Sequence, residues 1–145
     1  MAMQITVGRH GGPEVLERAE AEVGAPGPGQ IRLRHTAIGL NFIDTYFRSG
    51  LYPAPAGMPF VPGLEAAGVV EAVGEGVGGL KVGQRVAYGT GPLGAYSTER
   101  LIPADKVVAI GDEIADETAA AMMLKGLTAQ YLLRQTYVVK PGDTI

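Results

Sequence analysis

The stretch Ile31-Arg32-Leu33-Arg34-His35-Thr36-Ala37 alternates apolar and polar residues. Successive side chains of a strand point to opposite sides, so the segment is a strand with one face in the core and one in water. Outward from it the chain is punctuated by Gly and Pro. Turns fall at Gly11-Gly12-Pro13 and at Pro26-Gly27-Pro28-Gly29, and residues 14–23 between them show no strong period. Residues 64–77 are rich in Ala, Val and Gly, with little room for a polar face, and read as a strand buried on both sides. Residues 85–88, 95–102 and 106–110 read as further short strands, two of them ended by Gly89 and Pro103. Gly 22 and Pro 10 in 145 residues far exceed the combined average of about 12%. The expected fold class is therefore mainly β with helices, α+β.

Two segments read as helical. In residues 41–49, Phe42, Ile43, Tyr46 and Phe47 recur at helical spacing and Gly50 is a stop signal. Asn41 is placed to cap this helix and Asp44 to complete a capping box. The second helical segment runs over residues 116–137, with Asp116 as N-cap and Glu117 in the first turn, where the helix dipole favours negative charge. Gly126 is expected to divide it into two helices.

Composition removes several classes. Hydrophobic content of 46% with 19% charged residues marks a globular chain, and the length suits one domain with a real core. A net charge of −3 argues against a nucleic-acid footprint, which needs a clustered basic face. With no Cys there is no disulfide, thiol nucleophile or zinc finger. No run approaches the roughly 18 apolar residues of a membrane helix, and residues 1–10 carry no signal-peptide core. A cytoplasmic protein that engages neither membrane nor nucleic acid is expected.

The familiar catalytic patterns fail one by one. His10 and His35 stand far apart without close-spaced ligand partners, so His35 reads as a structural residue of its strand and no metal site is expected. Ser49 and Ser97 lie outside any G-x-S-x-G pattern, and no Gly-Lys is followed by Ser or Thr. Gly74, Gly76, Gly79 and Gly89, Gly91, Gly94 both spell G-x-G-x-x-G. That pattern cradles a pyrophosphate only at the start of a helix, and here strands follow, so both read as β-turns. The segment from Gly39 to Tyr52 keeps two readings. It is either a well-capped short helix or a site, because an Asn, an Asp, an Arg and two tyrosines crowd within twelve residues beside a helix start.

Taken together, Gly39–Tyr52, Pro62-Gly63-Leu64-Glu65-Ala66-Ala67-Gly68-Val69-Val70 and Gly83-Gln84-Arg85-Val86 resemble the medium-chain dehydrogenase/reductase superfamily. Within it the chain is similar to the zinc-free, zeta-crystallin-like NADPH:quinone oxidoreductases. Supporting pieces are His10-Gly11-Gly12-Pro13-Glu14-Val15-Leu16, Gly94-Ala95-Tyr96 and the run from Leu124 to Leu133. Zinc-dependent relatives carry a Cys ligand near Ile43–Asp44 and a His in a Gly-His-Glu motif; here Leu64 stands at the His place. Gln84 departs from the family's usual Asp, with a local effect expected on its turn.

The resemblance implies a GroES-like, partly open β-barrel over residues 1–115. Residues 116–145 would be connecting helices and the opening of a Rossmann strand, Thr144-Ile145 looking like its first residues. On this reading the chain is expected to be truncated, and inactive alone. The implied reaction is hydride transfer from NADPH to a quinone or another small electrophile. Tyr46, Tyr52 and Asn41 are the catalytic candidates, the tyrosines as donors to the developing oxyanion. Asn41, Phe42, Ile43, Asp44, Thr45, Tyr46, Lys125 and Thr128 are the cofactor-binding candidates. The plainer reading of Lys125 is a solvated helix lysine, and Tyr131 reads as packing. A homodimer is implied for the full-length protein. An enone or alkenal reductase and a non-catalytic GroES-like binding module are the alternatives.

Overall fold

A computed structural model describes residues 1–144. The alternating segment forms β3 (Gln30–Gly39), with Ile31 and Leu33 fully buried. On its polar face Arg34 reaches across to Glu71 at 2.8 Å. Glu71 belongs to β4 (Glu65–Val73), which pairs antiparallel with β3. The first six residues of β4 are almost wholly buried, as its apolar composition requires. β5 (Arg85–Tyr88), β6 (Glu99–Pro103) and β7 (Val108–Ala109) complete a five-stranded antiparallel sheet in the order β6-β3-β4-β5-β7. Ile31, Leu33, Val70, Val86, Tyr88 and Ile102 meet in its core.

Two strands lie outside those read from the sequence. β1 (Ala2–Val7) and β2 (Leu16–Ala21) form a separate antiparallel ribbon. Most of β2 is exposed, whereas β1 alternates Met3, Ile5 and Val7 with Gln4 and Thr6 and buries only its ends fully, so backbone pairing carries much of the ribbon. Bridges Gln4–Ser97 and Val7–Phe60 tie it to the rest. The sheet stays open and does not close into a barrel. The segment expected as a strand over 95–102 is regular only from Glu99, Ser97 being held by its bridge to Gln4.

The first helix, α1 (Phe42–Ser49), starts at Asn41 and ends at Gly50, whose φ of 85° is the left-handed stop that glycine adopts freely. The second, α2 (Asp116–Tyr131), runs straight through Gly126 and passes into a single π-helical stretch, Leu132–Thr136. The expected division at Gly126 does not occur. Gly126 faces open space, and its cost of about 1 kcal/mol is one that the packed alanines around it can carry. The cap also moves by one residue, to Ala115. Asp116 is thereby freed to pair with the Arg85 guanidinium, which holds its carboxyl below the usual range. Thr144 lies in no strand, and Ile145 lies outside the described residues.

α2 packs on the sheet mainly through small residues, with Met123 at the edge of the contact. Ala119 and Ala120 meet Ala67 and Ala87. A Cβ on Gly39 would run into the Ala120 carbonyl oxygen, and one on Gly89 into the backbone of Met123 and Leu124. The helix therefore lies against the sheet backbone itself, which brings the turn carrying Leu124 and Lys125 beside the start of α1.

His35 is built into the sheet through both of its ring nitrogens. Its Nδ1–H donates to the Ser97 carbonyl at 2.7 Å, leaving Nε2 to accept from the Tyr88 hydroxyl at 2.9 Å. Burial, reinforced by the Arg100 charge and opposed by the Ser97 bond, brings its pKa from 6.5 down to about 4. The unfolded chain then binds a proton that the folded chain refuses as pH falls through this window. Stability is complete above about pH 6.5 and is lost progressively toward pH 4, by about 3 kcal/mol at most. Urea midpoints at pH 7 and 4.5 should separate in the native protein, and His35→Phe should remove about that share of the difference. An unchanged separation in the variant would assign the acid sensitivity elsewhere.

Candidate cofactor site

Asn41 is buried at 6% exposure, and each part of it is engaged. Its backbone N–H donates to Asp44 Oδ2 at 2.9 Å, the return half of the capping box. Its side chain turns to other partners: Nδ2 donates to Glu65 Oε2 at 2.7 Å, and Oδ1 accepts from Lys125 Nζ at 2.8 Å. Glu65 opens β4 with no exposed surface, and its second oxygen accepts the Leu124 N–H of α2 at 2.8 Å. One buried carboxylate thus joins β4, the start of α1 and the middle of α2.

This junction borders an open cavity of about 420 Å³. Leu40, Phe42, Ile43 and Leu124 give it apolar walls, and Asn41, Thr45 and Lys125 bring polar groups to it. Phe42 is 83% exposed, so this apolar position of α1 does not serve the chain's core, whereas Phe47 packs against Val7, Val15 and Phe60. The helix residue it buries is Asp44. Asp44 sits behind the wall, where Oδ2 also accepts from the Tyr96 hydroxyl at 2.9 Å and Oδ1 is buried without a partner. Burial pushes the Asp44 carboxyl above its ordinary value, against the pull of the Asn41 N–H and the Tyr96 hydroxyl. Burial and then the Asp44 charge push Tyr96 upward in turn.

The structure sorts the sequence candidates by place. Asn41, Phe42, Ile43, Thr45 and Lys125 line the one cavity, and Asp44 supports it from behind. Tyr46 and Tyr52 stack edge to face at 5.5 Å, with Phe47 against Tyr52, outside that lining. Thr128 lies one turn beyond Leu124 and donates to its carbonyl at 2.8 Å. Tyr131, expected in packing, is 46% exposed. Lys125 reaches the site because α2 lies close to the sheet backbone at Gly39 and Gly89. Glu65 and Tyr96 are the residues that motif reading passed over. A carboxylate set in the apolar run Leu64–Val70 is itself a signal, because a charge with no wet face needs partners.

An open sheet with a peripheral helix, a two-stranded ribbon and an apolar cavity with a polar rim at a helix start define a GroES-like unit. The chain belongs to the alcohol dehydrogenase GroES-like domain family, matched over residues 27–139. It is 59% identical to a quinone oxidoreductase of Pseudomonas aeruginosa, across all of this chain and 44% of that protein. It is 52% identical to a 2-haloacrylate reductase of a Burkholderia species, across all of this chain and 45% of that protein. Among solved structures it superposes on Escherichia coli quinone oxidoreductase complexed with NADPH at a TM-score of 0.94 and 50% identity, over 97% of this chain and 43% of that one. The chain spans less than half the length of the relatives it matches.

The two glycine patterns shape turns, as their context requires. Gly76, Gly79, Gly91 and Gly94 all have positive φ, and no helix follows either set directly. Gln84, at the family's usual Asp position, accepts the Lys81 N–H through Oε1 at 3.0 Å and so closes its turn. No helix is long and apolar enough to cross a membrane among the described residues.

Proposed function

We propose that this chain is the catalytic portion of an NADPH-dependent quinone oxidoreductase acting without a metal. The observation that carries the reading is the Lys125–Asn41–Glu65 junction on the rim of an apolar cavity. Lys125 spends one ammonium N–H on Asn41 and keeps two for an anionic or hydroxyl-bearing ligand, while Leu40, Phe42 and Ile43 offer a surface for a flat ring. That donor set suits a nicotinamide nucleotide, which supplies hydride when bound. Asn41 and Lys125 would hold its polar groups and the apolar walls would keep water from the reacting face. Phe42, Ile43, Thr45, Tyr46 and Thr128 would extend the contact, with Asp44 steadying the helix start. Tyr46 and Tyr52 would donate to the oxygen that gains charge as the quinone is reduced. The absence of Cys from the chain and Leu64 in place of a ligand support the metal-free assignment.

The test is quinone reduction by the full-length protein, followed through NADPH oxidation. Turnover should survive a chelator; its loss would overturn the metal-free assignment. Asn41→Ala should raise KM for NADPH about tenfold, the worth of a hydrogen bond to a charged group. Tyr52→Phe should lower kcat, and an unchanged kcat would remove Tyr52 from the site. The 145 residues alone should bind NADPH weakly and reduce nothing. Homodimer formation and a cytoplasmic location belong to the same proposal, and light scattering of the full-length protein tests the first. The likeness to a 2-haloacrylate reductase favours one second reading, hydride delivery to an activated C=C bond. A side-by-side panel of quinones and enones separates the two.

A further inference from the structure

We infer that Glu65 is a positioning residue that decides which end of the Asn41 amide faces the cavity. A primary amide has a donating and an accepting end of nearly the same shape, so in a buried site its partners choose between them. Asn41 is 6% exposed and Glu65 has no exposed surface. A carboxylate offers only acceptors to N–H groups, and both Glu65 oxygens are engaged: Oε2 by Asn41 Nδ2 at 2.7 Å, Oε1 by the Leu124 N–H at 2.8 Å. The NH2 end of Asn41 therefore turns inward and Oδ1 turns outward, where Lys125 Nζ donates to it at 2.8 Å. Every donor along the row points toward the buried carboxylate. Glu65 lines no part of the cavity; it acts through Asn41, and it also grips the α2 residue next to Lys125. The side chains at the rim thus present an accepting oxygen that holds a cation in place.

The experiment turns the row around. Glu65→Gln keeps the shape but gives one acceptor and one NH2. The Leu124 N–H, fixed in its helix, takes the acceptor, and the new NH2 forces Asn41 to turn over and meet Lys125 with a donor. Lys125→Glu alone sets an acceptor against Oδ1, whereas with Glu65→Gln it meets the turned amide as a partner. Urea unfolding of the native protein, both single variants and the double should give a double variant at least about threefold more stable than the product of the single effects. Simple additivity overturns the inference. A second reading of the same point is the Asn41 side-chain amide signal in nitrogen-15 NMR. Lys125→Met should leave its protons bonded and slow to exchange, because Glu65 and not Lys125 sets the orientation; their release would equally overturn it.

The bearing on function rests on the NADPH reading, and the two can fail separately. Coupling in stability with no NADPH binding by the full-length protein defeats that reading alone. NADPH binding weakened by Lys125→Met but untouched by Glu65→Gln, with additive stabilities, defeats the positioning role alone. If both hold, Glu65→Gln raises the NADPH dissociation constant by about the factor seen for Lys125→Met.

Discussion

Gly39→Ala is expected to lower stability by about 3 kcal/mol, the upper end of what overpacking one methyl group costs. Gly39 is buried at the end of β3, and the added Cβ would overlap the Ala120 carbonyl oxygen and the Glu65 carboxylate. The first obstacle is backbone, so no rotamer change relieves it and no truncation of a neighbouring side chain can rescue it. Relief requires α2 to lift from the sheet. That movement would loosen the contacts of Ala119 and Ala120 with Ala67 and Ala87. It would also carry the Leu124 N–H and Lys125 away from Glu65 and Asn41. The unfolding midpoint in urea reads the first effect, and the exchange rate of the Leu124 amide proton reads the second. A loss under about 0.5 kcal/mol, the ordinary scatter of surface substitutions, would show that the helix is not seated as closely as its small-residue interface indicates.

That interface explains what could and could not be read from the residues. β3 announces itself because one face is in the core and the other carries Arg32 and Arg34 over Glu71. β2 is silent for the opposite reason: a strand that buries little apolar surface needs no alternation to form, although its partner β1 does alternate from Met3 to Val7. Gly126 reads as a helix break from propensity alone, yet the helix is decided by what its other face touches, Ala67 and Ala87 from distant strands. Tertiary packing overrides a local cost of that size. Gly39 and Gly89 are the glycines with structural work in α2 packing, and neither lies in the helix.

The site divides along the same line. Asn41 and Asp44 are legible because a capping box is local, four residues from end to end. Glu65 and Tyr96 join them from 24 and 52 positions away, through strand pairing and loop placement that no spacing rule encodes. Lys125 comes from 84 positions away, and no local spacing around it told it from a solvated lysine. What the residues near Asn41 did convey was a surplus of polar side chains. The structure resolves that surplus into three uses: a network at Asn41 and Asp44, an aromatic pair at Tyr46 and Tyr52, and Arg48 bonded to the Gly11 carbonyl.

Glu65→Leu should cost about 3 kcal/mol, even though it replaces a buried carboxylate by an apolar side chain of similar size. Substituting a whole buried polar cluster can be neutral, but removing one member leaves the others without partners. Here Asn41 Nδ2 keeps its burial and loses its acceptor, a penalty of about 1–3 kcal/mol, and the Leu124 N–H loses the oxygen it now meets. Asn41 cannot escape by turning its amide over, because its carbonyl would then face leucine and its NH2 would face the Lys125 ammonium. The same substitution removes a negative charge that helps hold the Asp44 carboxyl above its ordinary value, so the Asp44 titration should move downward. Urea unfolding at pH 7 measures the first effect and carbon-13 NMR of the Asp44 carboxyl the second. Glu65→Gln, which keeps an acceptor for one of the two N–H groups, should lose less than Glu65→Leu. Equal losses would mean that the carboxylate contributes shape and not hydrogen bonds, and the junction of β4, α1 and α2 would then rest on packing alone.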